Sequence, residues 1–233
     1  MSDENSAEGQ RVAAFRADYR QAKVPPGYDG RLHLASTTTL QLGTCLTALA
    51  FARGATALEW LTLPAAFLLA NLVEWAGHRW LMHVPRPGLG FLYRRHAGVH
   101  HRFFTAHAMA VGSPRDYHAV IFPLSVSLFY LGAVAAPLAY GLGILVSSEV
   151  GWLFLAAAVG YYELYEVLHL LAHLQPKGWL SGHPLVERVR AHHARHHDPT
   201  VMRHGNFNIT VPVADLLFGT KLPGDRLAKD RSV

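Results

Sequence analysis

The chain has 233 residues, of which 51% are apolar and 16% charged, and its mean hydropathy is positive. This length allows one domain or two, and the apolar content indicates either a membrane protein or a very large core. The formal charge of +5 would suit nucleic acid or an anionic lipid surface. No nucleic-acid-binding motif accompanies the charge, so we expect a lipid surface and no nucleic-acid partner. The single cysteine, Cys45, excludes an internal disulfide framework.

Residues 1–33 are polar, carry charges of both signs and are predicted to form an N-terminal cytoplasmic tail. Within them Phe15 and Tyr19 lie four residues apart among basic residues. This pattern suits a short amphipathic helix on a membrane surface and a solvated tail about equally. The remainder, 34–233, is predicted to form a single membrane-embedded domain.

Four apolar stretches of that domain are long enough to cross a bilayer. They run from about 34 to 52, 55 to 80, 119 to 138 and 142 to 171. We expect helix breaks near Pro137 and at residues 141–143, whereas the proline- and glycine-rich stretch 84–117 cannot span. The sequence therefore predicts an all-α fold with about four transmembrane helices.

Basic residues are distributed unequally between the two sides of this four-span arrangement. Of the 21 lysines and arginines, 20 fall in the two termini or between the second and third spans, and only Arg53 falls in an outer loop. Positively charged loops remain on the cytoplasmic side. We therefore expect both termini to be cytoplasmic, with outer loops near 53–56 and 139–150.

Ten of the sixteen histidines fall in four clusters, all at or beyond the cytoplasmic ends of the predicted spans. Imidazole is the commonest protein ligand for transition metals, and ten ligands exceed what one ion can use, so two metals are expected. Residues three or four apart share a helical face, which predicts that the last cluster points three imidazoles at one spot. The five-residue spacing of the first cluster predicts that the helix unwinds there. The clusters are His78 and His83; His96, His100 and His101; His169 and His173; and His193, His196 and His197.

Polar residues near these clusters are candidates to orient a ligand ring. Asn71 and Glu74 precede His78 by two turns and one turn, and Glu166 lies one turn before His169. For Glu166, a carboxylate extending to the membrane boundary is an equal alternative. The six other histidines are expected not to bind metal, with His204 the foremost exception. These six are His33, His107, His118, His183, His192 and His204.

The spacing of the clusters resembles the fatty acid hydroxylase and sterol desaturase superfamily of integral membrane oxygenases. The segments HRWLMH, HAGVHH, HLLAH and HARHH resemble that family's four histidine boxes and stand in the family's order, at 78–83, 96–101, 169–173 and 193–197. Residues 206–220 resemble its closing pattern, with Asn206, Asp215 and a final Phe-Gly-Thr, although Ala214 stands where the family often has tryptophan. The resemblance covers roughly 70–220.

This resemblance implies a non-haem di-iron centre formed by the ten clustered histidines in a cytoplasmic helical cap under a four-helix membrane stalk. It implies activation of O2 and attack on an unactivated C–H bond of a lipid. Electrons are expected from an external donor, cytochrome b5-like or ferredoxin-type. Zinc is expected to replace iron in some purified material, because nitrogen ligands favour zinc over ferrous iron. The resemblance adds Asn206 and Asp215 to the candidate orienting residues.

The sequence is also compatible with other functions. A desaturase, a sterol methyl oxidase or a carotenoid hydroxylase would use the same centre, although the closing pattern is closer to the fatty acid and sterol branch. A histidine-rich metal transporter belongs to a different class. Its ligands should lie near the bilayer midplane, whereas every cluster here lies at or beyond the end of a span.

Overall fold

The computed structural model describes residues 7–175 and 177–223, and within them it is helical, as predicted. Three short 3₁₀ turns, at Glu59–Leu61, Pro114–Ala119 and Gly178–Leu180, and three wider π turns, at His78–Met82, His96–His100 and Tyr130–Ala135, accompany the α-helices. The α-helices are α1 (Ala7–Lys23), α2 (Gly30–Phe51), α3 (Thr62–Gly77), α4 (Gly90–Arg95), α5 (His101–Phe103), α6 (Leu124–Phe129), α7 (Ala136–Leu145), α8 (Ser148–His173), α9 (Pro184–His196) and α10 (Val213–Leu217).

Helix α8 is the central element of the fold and packs against α2, α3, α7 and α9. Its first turn is capped by Ser147, whose side chain accepts a hydrogen bond from the backbone N–H of Val150. Gly151 allows α7 to approach closely, because a Cβ at that position would lie 2.6 Å from the carbonyl oxygen of Ala139. With 26 residues, α8 extends for about 38 Å and ends at the histidines.

Among the residues that the structure describes, two helical stretches are long and apolar enough to cross a membrane, namely Glu59–Met82 and Leu124–Leu145. Only 17% and 11% of their most apolar windows are buried inside the protein, so most of their apolar side chains face outward. Helices α2 and α8, which were also predicted to span, are less apolar. Threonines and Gln41 lower the hydropathy of α2, and Glu163 and Glu166 lower that of α8.

The predicted helix breaks near Pro137 and at residues 141–143 are wrong, since both lie in continuous helix. The helical stretch runs without interruption from Leu124 to Leu145, and the π turn Tyr130–Ala135 comes just before the proline. A wide turn accommodates the missing N–H and the bulk of the proline ring without ending the helix. The chain reverses only at residues 146–147, so the loop predicted at 139–150 is much shorter.

The N-terminal segment, predicted to be a tail or a surface helix, is packed against the rest of the protein from α1 onward. Tyr19 and Val24 are buried in one hydrophobic cluster with Phe103, Phe104 and Ile121. The described part of this N-terminal segment is therefore a packed helix and not a solvated tail. Helix α1 covers the segment that connects the second histidine cluster to α6.

Candidate metal centre

The ten clustered histidines come together in one buried site, and none of them is more than 8% exposed. Their ring nitrogens form two groups. Group A comprises His78, His83, His96, His101 and His196. Group B comprises His100, His169, His173 and His193, together with His197, whose Nε2 lies 3.1 Å from that of His100 and 3.0 Å from that of His193.

Two π turns explain why residues five apart share a group. His78 and His83 bracket the π turn His78–Met82, and His96 and His101 bracket the π turn His96–His100. A π turn adds one residue to each helical turn, so it aligns positions i and i+5 where an α-helix would align i and i+4. The helix therefore widens at the first cluster, and the expectation that it unwinds there is wrong.

The fourth cluster is divided between the groups, so the expectation that it points three imidazoles at one spot is also wrong. His193 and His197 lie four residues apart on α9 and its C-terminal end, and both belong to group B. His196 instead lies with its Nε2 3.0 Å from that of His83 in group A. Successive helical residues diverge by about 100°, which directs His196 towards group A and His197 towards group B.

The spacing of the imidazole nitrogens fits a shared metal ion in each group. The Nε2 atoms of His101 and His96 lie 3.0 Å apart in group A, as do those of His169 and His100 in group B. Two nitrogens at about 2.1 Å from one ion and at right angles would be about 3.0 Å apart. All the donors are imidazoles, a set that suits iron, zinc, copper and nickel.

Backbone carbonyls fix the orientation of five of the ten rings. Each ring offers its Nδ1–H to a carbonyl oxygen, which leaves the Nε2 lone pair free and directed into the site. The pairs are His78 with Phe207 at 2.5 Å, His196 with Gly205 at 3.0 Å, His100 with Ala119 at 2.9 Å, His173 with Met109 at 2.8 Å, and His197 with Phe104 at 2.6 Å.

Burial keeps these imidazoles neutral, which is the form that binds a metal. It lowers the pKa of His96, His101 and His196 well below the ordinary value, and neighbouring imidazoles lower these pKa values further. The pKa of His83 falls to about 3, again mainly through burial. No proton therefore competes with a metal ion for these nitrogens near neutral pH.

In the described structure, neither Glu74 nor Asn71 forms a hydrogen bond to a cluster histidine. Both side chains instead bind a C-terminal segment whose backbone carbonyls contact His78 and His196. We call residues 205–220 the closing segment. The Glu74 carboxylate accepts hydrogen bonds from the backbone N–H groups of Ile209 (2.6 Å) and Thr210 (3.2 Å). The Asn71 side chain donates to the carbonyl of Val211 at 2.7 Å.

Asp215 and Asn206 secure the same closing segment from within. Asp215, which is fully buried, accepts hydrogen bonds from the backbone N–H groups of Phe207 (3.1 Å) and Asn208 (2.8 Å). Asn206 adopts a positive φ of 56° and donates to the carbonyl of His192 at 3.0 Å. The four residues thus place the Gly205 and Phe207 carbonyls against His196 and His78.

Sequence reasoning missed some members of this network. Asn208 donates to the Asn71 carbonyl at 2.9 Å, and Tyr161 of α8 donates to Glu74 at 2.5 Å. Asn208 stands two residues after Asn206, and this second asparagine is a sequence signal that it takes part in the network. The sequence offers no such signal for Tyr161, because its partners lie 49 and 87 residues away.

Glu166 is fully buried beside the centre but forms no hydrogen bond to a histidine ring within the described residues. Its Oε2 accepts from the backbone N–H of Phe122 at 2.9 Å, and its Oε1 has no partner there. Phe122 also lines a cavity of about 10 Å³ that reaches His96 of group A and His100 of group B. This space holds about one water-sized molecule.

The remaining histidines lie outside the two groups. His192 points away from its neighbours and donates from Nε2 to the Asn208 carbonyl at 2.8 Å. His107 and His204 are exposed, so the preference for His204 as an additional ligand is wrong. His118 pairs with the Tyr19 hydroxyl, and His33 pairs with that of Tyr28. His183 immediately precedes α9.

The fold and the buried histidines define an all-helical protein of the histidine-box class, with two stretches apolar enough to cross a membrane. The family model described as fatty acid hydroxylase matches residues 63–220, and the chain belongs to this family. Its fold resembles a solved structure of full-length Scs7p with only the hydroxylase domain visible, with a TM-score of 0.58 and 19% identity over 84% of this chain and 68% of that one. No curated protein matches the chain.

Proposed function

We propose that the protein is a membrane-bound lipid hydroxylase with two iron ions, one held by group A and one by group B. The ions would supply the activation of O2 and the attack on an unactivated C–H bond of a fatty acyl chain or related lipid. The observation that carries the proposal is the division of ten buried imidazoles into group A and group B, where His197 joins group B through its distances to His100 and His193. Each group offers one nitrogen-rich site for a metal ion, and the chain belongs to a family of hydroxylases.

The chain's own residues bind the ions, orient the ligands and exclude water. Burial keeps the imidazoles neutral, and carbonyl oxygens hold five of them with Nε2 directed inward. The cavity beside Phe122 is bordered by histidines of both groups and by the apolar side chains of Leu92 and Met82. An acyl chain needs more room than this cavity provides, so substrate entry requires side-chain movement.

The membrane arrangement that we propose has four spanning helical stretches, with both termini and the histidines on the cytoplasmic side. The two turns assigned to the outer side lie next to each other, because the Ser147 hydroxyl donates to Glu59 at 2.5 Å. They are separated from the histidines by the length of α8. Electrons would come from an external donor, cytochrome b5-like or ferredoxin-type, reaching the cytoplasmic side.

Cysteine labelling tests this orientation. In a Cys45→Ser background, an impermeant thiol reagent added outside intact cells should label Ala57→Cys and spare Ser181→Cys. Both positions are exposed, so accessibility within the protein does not distinguish them. The reverse pattern would contradict the proposed orientation.

Lipid mass spectrometry under ¹⁸O₂ tests the reaction itself. Cells that express the protein should contain a lipid heavier by one ¹⁸O atom, and cells with the His173→Ala variant should lack it. A product that has lost two hydrogens and gained no oxygen would indicate a desaturase instead. Identical lipids in both cell lines would contradict the proposal of a lipid oxygenase.

A further inference from the structure

Groups A and B are oriented by two different parts of the chain. The carbonyls that orient His78 and His196 of group A belong to the closing segment. The carbonyls that orient His100, His173 and His197 of group B belong to residues 103–119, which we call the bridging segment. The orienting carbonyls of the two groups therefore come from separate segments of the chain.

Helix α1 holds the bridging segment through the side chain of Arg16. Its Nε donates to the Phe103 carbonyl at 2.8 Å and its Nη2 to the Ala108 carbonyl at 2.5 Å. Each of these carbonyls adjoins a residue whose own carbonyl binds a group B ring, Phe104 for His197 and Met109 for His173. Arg16 also lies over the Phe103 ring, 5.0 Å from its centroid.

A second contact from α1 holds the same segment near its other end. Arg20 forms a two-bond ion pair with Asp116, at 2.7 and 2.9 Å, and Asp116 also accepts from the backbone N–H of Gly112 at 2.7 Å. The Tyr19 hydroxyl contacts His118 at 2.8 Å, next to Ala119, whose carbonyl orients His100. Every carbonyl that orients group B thus lies within one residue of a contact with α1.

The charge of Arg16 does not explain its position. A guanidinium near a bound cation is repelled by it, so its electrostatic effect on metal binding is unfavourable. Its favourable effect on metal binding must come from geometry. The planar guanidinium donates hydrogen bonds to two carbonyls that are five residues apart in the bridging segment. An ammonium group cannot reproduce this arrangement.

We propose that α1 is a positioning element for group B, with Arg16 as its principal positioning residue, so that the ion held by group B depends on α1 and the ion held by group A does not. This inference rests on the proposed metal centre. Helix α1 lies outside residues 63–220, the part of the chain that the family model matches.

Zinc titration of metal-stripped, full-length protein against a competing chelator tests this inference. Loss of an orienting partner weakens metal binding about 10–100-fold, so Arg16→Ala should weaken one of two zinc ions by that factor and leave the other unchanged. Arg16→Lys should weaken the same ion. Arg11→Ala, at an exposed position on the same helix, should match the wild type.

Two histidine variants assign the weakened ion to its group. With group A disabled by His196→Ala, Arg16→Ala should weaken the remaining ion about 10–100-fold. With group B disabled by His173→Ala, Arg16→Ala should leave the remaining ion unchanged, which also shows that the variant folds. Equal weakening in both backgrounds, or weakening in neither, would overturn the inference. Wild-type protein that binds fewer than two zinc ions would instead overturn the proposed centre.

Discussion

The Nε2 atoms of His96 and His101 lie 3.0 Å apart in group A, although these residues are five positions apart. His100, four positions after His96, lies in group B with its Nε2 3.0 Å from that of His169. The π turn between His96 and His100 produces this division. One short segment of chain therefore supplies ligands to both groups.

Single and paired alanine substitutions should show this division directly. His101→Ala and His100→Ala should each abolish product formation and lower the metal content from two ions to about one, because each opens a coordination position in one group only. Adding His78→Ala to His101→Ala should leave about one ion, whereas His100→Ala with His101→Ala should leave none. Elemental analysis of purified protein measures this. Equal losses in the two paired variants would contradict the assignment.

The histidines outside the groups should behave differently. His183→Ala should retain two ions and most of the activity. His192→Ala removes a hydrogen bond to the Asn208 carbonyl, which is worth about 1 kcal/mol, so activity should fall but remain measurable with two ions bound. A loss of metal in His192→Ala equal to that in His196→Ala would show that His192 is a ligand.

Asp215→Ala should destabilise the closing segment strongly. It leaves the buried N–H groups of Phe207 and Asn208 without their acceptor, and each such loss costs about 1–3 kcal/mol. A loss of about 3 kcal/mol lowers the Tm by about 6–12 °C in a chain of this length. Asp18→Ala, at an exposed position, is the control and should leave the Tm unchanged. Thermal unfolding in detergent gives both values.

The contact between α1 and His118 should be sensitive to acid. Burial, followed by the positive charge of Arg95, lowers the pKa of His118 to about 4, whereas an unfolded histidine has a pKa of about 6.5. The unfolded chain therefore takes up a proton first, so the stability that is fully present above pH 6.5 is lost as the pH falls towards 4. His118→Gln should show a smaller fall in Tm across this interval. Equal slopes for the two proteins would contradict this pKa.

The sequence was sufficient for the all-α fold and for the set of ten histidines that the structure brings together. It was not sufficient to divide these histidines between groups A and B. His196 and His197 are adjacent in sequence, and only the helical rotation assigns them to different groups. The π turns were missed because the five-residue spacing also suits an unwound helix. Pro137 predicts a break, because the π turn that accommodates it has no sequence signature of its own.

The support of group B by Arg16 was likewise beyond sequence reasoning. Arg16 lies 87 and 92 residues from the carbonyls that it binds, and its neighbours along the chain are equally basic. The sequence indicates Asn71 and Glu74 because they lie two turns and one turn before His78. Within the described residues their side chains contact the backbone of the closing segment, and the carbonyls of that segment contact the histidines.

The most direct test of the two-metal centre is an anomalous difference map, recorded at the iron absorption edge from crystals of active protein. It should show two peaks, one within about 2.1 Å of Nε2 atoms of group A and the other within the same distance of Nε2 atoms of group B. A single peak, or the absence of a peak among these ten histidines, would contradict the proposed centre.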